Sequence, residues 1–101
     1  MPKLIRMSSN DMRPNTAFLL MAQYDGAAVI PLESVARDFF RHLTFDKFLR
    51  KILRGEIALP VIRIEQSQKA ARGVHLVDLS EYIDKQREKA LKEMNQLSGT
   101  A

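Results

Sequence analysis

Between Val29 and Tyr82, two amphipathic helical patterns are followed by a basic hairpin pattern and then by a further helix start. Leu32, Val35, Ala36, Phe39, Phe40 and Leu43 recur at i, i+3, i+4, i+7, i+8 and i+11, the spacing of one helical face. Pro31 suits the first turn of that helix. Thr44 predicts the N-cap of the next, in which Phe45, Phe48, Leu49, Ile52 and Leu53 face inward and Asp46, Lys47, Arg50, Lys51 and Arg54 face outward. Gly55 predicts its end.

Only a few residues around His42 and Leu43 separate these helices, so they must meet at a steep angle, as in a helix-turn-helix. The glycine often found in such turns is missing here. Leu59 precedes Pro60 and is pushed toward extended geometry, and ValIleArgIle at 61–64 is strand-like. Ser67 to Gly73 is small and polar, and Val74 to Leu76 is the expected return strand, which together make a hairpin wing. Asp78 with Glu81 reads as a capping box, with Val77 stapled onto Tyr82, and a long helix follows to about Leu97. The expected fold is therefore mainly α with a small β-hairpin wing: a winged helix-turn-helix plus a long C-terminal helix.

Outside this frame, residues 1–14 have no sustained apolar period and read as a disordered leader, with Met7 and Met12 as alternative starts. Residues 15–86 form the expected domain, and residues 87–101 a helical extension with a frayed tail. Asn15 and Thr16 predict the cap of a short helix, Ala17 to Tyr24, ended by Gly26. That segment is apolar almost all round, which implies burial on several sides, and a buried strand is the other reading. In the last helix Leu79, Ile83, Ala90, Met94 and Leu97 fall near one stripe. Past Gln86 it extends beyond what a small domain covers, so it pairs with a second copy or stands as a solvated tail.

Charge locates the working surface. The chain has 101 residues and a net charge of +4. Residues 44–73 alone hold seven bases (Lys47, Arg50, Lys51, Arg54, Arg63, Lys69, Arg72) against three acids (Asp46, Glu56, Glu65), which accounts for the entire surplus. A basic patch of this kind suits a polyanion. With no cysteine, no disulfide framework or thiol chemistry is possible. The longest uncharged apolar-rich run, Thr16 to Tyr24, falls well short of the roughly 20 residues that cross a bilayer, which makes a cytoplasmic protein the default. His42 and His75 have no partner at metal-ligand spacing, and neither a phosphate loop nor a zinc motif occurs, so no catalytic residue, metal or cofactor is expected.

Double-stranded DNA is the expected partner. Thr44, Asp46 and Lys47 occupy the turns of a recognition helix that approach bases first, Arg50 and Lys51 are placed to reach guanine acceptors, and Arg54 a phosphate. Arg63, Gln68, Lys69 and Arg72 belong to the wing and face backbone or minor groove, while Arg37 and Arg41 face flanking phosphates. The alternative for each is a solvated charged face. Two other functions fit the same outline: an excisionase-like architectural protein that bends or coats DNA, and a phage-borne adaptor or inhibitor that docks a protein.

The order helix, helix, GlyGluIle, ProValIleArgIle, wing and AspLeuSerGluTyrIle resembles the DNA-binding half of MerR-type and phage excisionase proteins. TAFLLMAQY at 16–24, AVIPLESVARDFF at 28–40 and FLRKILRGEIALPVIRIEQSQKAARGVHLVDLSEYID at 48–84 are similar to the pyocin activator, PrtN-like family. That resemblance spans roughly residues 15–90. It implies a small bacterial transcriptional activator of bacteriocin or prophage-type genes that needs no cofactor. A homodimer is expected from the small domain and its long last helix, with RNA polymerase as a further expected partner. It transfers no residue-level motif.

Overall fold

The computed structural model of the chain describes residues 15–67 and 70–99. Its elements are α1 (Thr16–Gln23), β1 (Val29–Pro31), α2 (Leu32–Phe39), α3 (Phe45–Leu53), β2 (Ile62–Arg63), β3 (Arg72–His75) and α4 (Leu76–Leu97). The fold is mainly helical, with a small antiparallel sheet and a long C-terminal helix, consistent with a winged helix-turn-helix. The expectation of a disordered leader falls on residues outside those described, as do the expected contacts of Gln68 and Lys69.

Local chemistry explains where the helices begin and end. The Asn15 side chain accepts from the Phe18 N–H at 2.7 Å and the Thr44 hydroxyl from the Lys47 N–H at 3.2 Å, so each satisfies an otherwise orphaned donor of α1 or α3. Thr16, offered with Asn15 as a cap, is the first helical residue instead. At the end of α3 the Gly55 N–H reaches the Ile52 carbonyl and the Glu56 N–H the Lys51 carbonyl, a Schellman motif that needs the left-handed Gly55 at φ +77. The α2–α3 turn closes without a glycine: the Leu43 N–H bonds to the Phe40 carbonyl, and no residue of the turn has positive φ.

The sheet has order β1-β3-β2, with β3 in the centre. Sequence reading anticipated a two-stranded wing and placed Pro31 in a helix. The structure adds β1, whose Ile30 lies opposite Val74 and Pro31 opposite Gly73. Pro31 is tolerated because β1 is an edge strand and Pro31 its last residue. Gly73 is required by close approach: a Cβ there would lie 2.6 Å from the Ile30 carbonyl oxygen and from Val29 Cγ1.

The start of α4 also differs from expectation. It begins at Leu76, and its N-cap is His75, whose Nδ1 accepts from the Val77 N–H at 3.1 Å, so the expected box around Asp78 does not form the cap. His75 ends β3 in extended geometry, and no loop intervenes in which a later residue would serve. Asp78 sits in the first turn, where its charge complements the helix dipole.

Ile30, Leu32, Val35, Phe48, Val74 and Leu79 are completely enclosed, which joins the first two helices of the motif, the sheet and α4 in one core. The Phe40 ring lies 4.7 Å from that of Phe48 and 6.0 Å from that of Tyr82, so one aromatic side chain bridges α3 and α4 from the C-cap of α2. Helix α1 packs against α4, where the Thr16 hydroxyl donates to Asp84 at 2.6 Å. The expected burial of α1 on several sides is not met: Leu20 is its only buried residue, and Phe18, Leu19 and Met21 are 60, 53 and 47 % exposed. Among the described residues no helix is long and apolar enough to cross a membrane.

Candidate nucleic-acid interface

Burial of Phe48 fixes which way α3 faces. With about 100° per residue, Asp46, Arg50 and Leu53 point away from the core, and Lys47 and Arg54 flank them. All five are exposed. Lys47 and Arg50 have no ion-pair partner among the described residues, so their charges are available to a ligand. Leu53 was expected inward. It lies 74 % exposed, because five residues beyond Phe48 is roughly 140° around the helix, a position the wheel itself places outside.

Lys51 and Arg54 are held differently. The Schellman turn folds Glu56 back along α3, where its carboxylate accepts from Lys51 Nζ at 3.2 Å and Arg54 Nη1 at 3.5 Å. Hydrogen bonds from Lys51, then the charges of both bases, hold the Glu56 carboxyl below the usual range. These two cations are thus positioned by an acid at the C-terminal end of α3, whereas Lys47 and Arg50 are not. The Thr44 hydroxyl oxygen accepts the α3 cap bond and keeps its proton free to donate. Asp46 stands exposed in the first turn.

The remaining predicted residues fall on two flanks. On one, Arg37 and Arg41 of the α2 side share a shallow hollow of about 380 Å³ with Glu33, Leu43 and Phe45. Arg37 is tied to Asp38 at 2.9 Å, and that acceptor raises its pKa above the ordinary guanidinium value. On the other flank, a furrow of about 480 Å³ runs from Phe45 past the start of α2 to Ile64 and Arg72 of the wing. Phe45 lines both, as the ridge between them. The helical pattern alone places Phe45 in the core and gives Ile64 no role, yet both are exposed. A helix pattern does not reveal how far a first-turn residue projects past the core, and a wing residue carries no period at all.

Arg63 and Arg72 face each other directly across the β2–β3 ladder. Like charges opposite one another on antiparallel strands destabilise the pair, and neither arginine has an acidic partner among the described residues. A wing built this way is costly to the isolated fold and suited to an anionic partner. His42 is exposed in the turn, and His75 is the α4 cap. Among the described residues no cluster of three His, Cys, Asp or Glu is arranged to hold a metal.

The family model described as pyocin activator protein PrtN matches residues 16–90, from the first residue of α1 well into α4. The chain belongs to the PrtN pyocin activator family. The match covers both helices of the motif, the whole sheet and the segment that carries every described basic residue discussed above. PrtN membership makes the chain a regulatory protein with an activating role in pyocin gene transcription. No curated protein and no solved structure matches it.

Proposed function

We propose that the chain is a sequence-specific, DNA-binding activator of bacteriocin or prophage-type genes, working in the cytoplasm as a homodimer. Helix α3 enters the major groove, with Lys47 and Arg50 toward base edges and Leu53 and Phe45 placed for apolar contact with thymine methyl groups. Arg54, Lys51, Arg37 and Arg41 meet phosphates beside the groove, and Arg63, Arg72, Gln68 and Lys69 of the wing meet adjacent backbone. The observation that carries this reading is Arg72, which faces Arg63 across the ladder with no acidic partner among the described residues and lines the furrow whose other end is Phe45 of α3. The free charges of Lys47 and Arg50 on the outer face of α3 favour DNA over a protein ligand. RNA polymerase is the second partner through which activation acts.

Fluorescence anisotropy with promoter and random duplexes over a salt series tests it. Neutralisation of about six phosphates gives a slope of log K against log salt near −5. Absence of binding at low salt refutes the reading. A footprint that lengthens steadily with concentration instead assigns the excisionase-like role.

A further inference from the structure

We propose that the outward face of α1, formed by Phe18, Leu19 and Met21, is the centre of a two-fold contact with a second copy of this chain, with the distal end of α4 at its rim. The inference rests on the dimeric reading above and names its surface.

Helix α1 contains no Asp, Glu, Lys or Arg, and among the described helices it is alone in this. Its sequence is apolar almost all round, yet of its residues the single chain buries Leu20 alone and leaves an aromatic, a leucine and a methionine about half open to water. Interface cores are depleted of charge and enriched in aromatic residues and methionine, which is the composition of this face.

Electrostatics select the occupant. In a two-fold contact each patch meets its own copy, so any charged residue near the axis confronts a like charge. On a chain of net charge +4 an uncharged helix face is the surface that self-associates without repulsion. The distal part of α4, the surface expected from sequence to pair, is poorly suited to act alone. Leu91, Met94 and Leu97 are exposed there, but Lys85, Arg87, Glu88, Lys89, Lys92 and Glu93 crowd the same turns. A strip of its last three turns is about 16 Å long and about 10 Å wide. That footprint is small beside the roughly 800 Å² each partner gives to a standard interface. Because α1 packs on α4, where Thr16 donates to Asp84, its uncharged face is held on the same helix and supplies the apolar centre that the strip lacks.

Sedimentation equilibrium of the full chain over a concentration series, with Leu19→Glu, Met21→Lys and the double variant Met94→Glu/Leu97→Glu, tests the assignment. The wild type is expected to be a dimer. Either α1 substitution should halve the mass at concentrations where the wild type is paired, with unchanged far-UV circular dichroism, while the α4 double variant raises the dissociation constant by less than tenfold. If Leu19→Glu disturbs folding, Met21→Lys decides. Dimers that survive both α1 substitutions but not the α4 variant overturn the surface while leaving the dimer intact. A monomeric wild type overturns both, including the case in which removing residues 1–14 turns a monomer into a dimer and so assigns the face to the chain's own leader. Anisotropy with a single half-site reads DNA binding separately in every variant, so loss of the dimer and loss of the DNA reading remain distinct.

Discussion

Tyr24 donates its hydroxyl to Asp38 across 2.5 Å, and this bond joins the C-cap of α1 to the last turn of α2. Asp38 also accepts from Arg37 Nε at 2.9 Å, so one carboxylate is shared between a phenol and a guanidinium. Hydrogen bonds from Arg37, then from Tyr24, hold the Asp38 carboxyl below its ordinary range. Burial, and then the hydrogen bond to Asp38, push the Tyr24 phenol above its own. The arrangement couples the helix bearing the uncharged face to the helix that supports α3.

The pH dependence of stability follows from these directions. A depressed carboxyl contributes stability that is present above the unfolded value of about 3.9 and is lost as pH falls through the lower folded value. A raised phenol contributes stability that is present below about 10 and is lost as pH rises above it. Urea unfolding should therefore show the gap between wild type and Asp38→Asn shrinking below pH about 4. Tyr24→Phe should cost about 1 kcal/mol at neutral pH, and a gap that persists unchanged in acid contradicts the assignment to Asp38.

Gly73→Ala is expected to destabilise the fold by about 1–3 kcal/mol, since the new methyl meets backbone at Ile30 as well as the Val29 side chain. The readout is the thermal midpoint. Shortening Val29 in the same chain, as Val29→Ala/Gly73→Ala, should recover only part of the loss, because the Ile30 carbonyl cannot retract without breaking the β1–β3 register. Full recovery would mean that only the side chain was in the way.

Replacement of His75 by Ala removes the acceptor for the Val77 N–H and should cost about 0.5–2 kcal/mol, the usual worth of an N-cap. Asp78→Ala should cost less, a few tenths of a kcal/mol, through the helix dipole alone. Equal losses measured by chemical denaturation would return the cap to Asp78.

Arg72→Ser separates the demands of fold and ligand. Removing one member of the Arg63–Arg72 couple relieves repulsion, so stability should hold or rise by a few tenths of a kcal/mol. DNA affinity should fall on all sequences alike, with the salt slope shallower by about 1. Arg50→Ala behaves differently if it reads a base, weakening a specific site by about 1–3 kcal/mol more than random DNA. A stability loss in Arg72→Ser without change in affinity would make Arg72 a structural residue.

Which of these features could be read from the chain depends on the range of the interactions that create them. The α2 and α3 helices were legible because side chains from Leu32 to Leu53 repeat at the helical period and Thr44 and Gly55 mark boundaries by local chemistry. Strand β1 was not, since three residues carry no period and Val29–Pro31 becomes a strand only by pairing with β3, far along the chain. The α4 cap slipped because a histidine at a strand end is a poor cap by statistics and a good one by position. The basic residues of the interface were visible as charges. The opposition of Arg63 to Arg72 and the capture of Lys51 and Arg54 by Glu56 arise from register and from the path of the turn, which composition does not encode.

Between the last residue of β3, His75, and the first of α4, Leu76, the chain has no slack. A strand at the centre of the sheet continues without a joint into a helix of 22 residues, about 33 Å long. Whatever grips the far end of that helix holds a lever whose short arm is the wing. Arg72, at the other end of β3, is therefore set in direction by α4, and on the proposed DNA-binding reading a load on the far end of that helix would be felt at the wing.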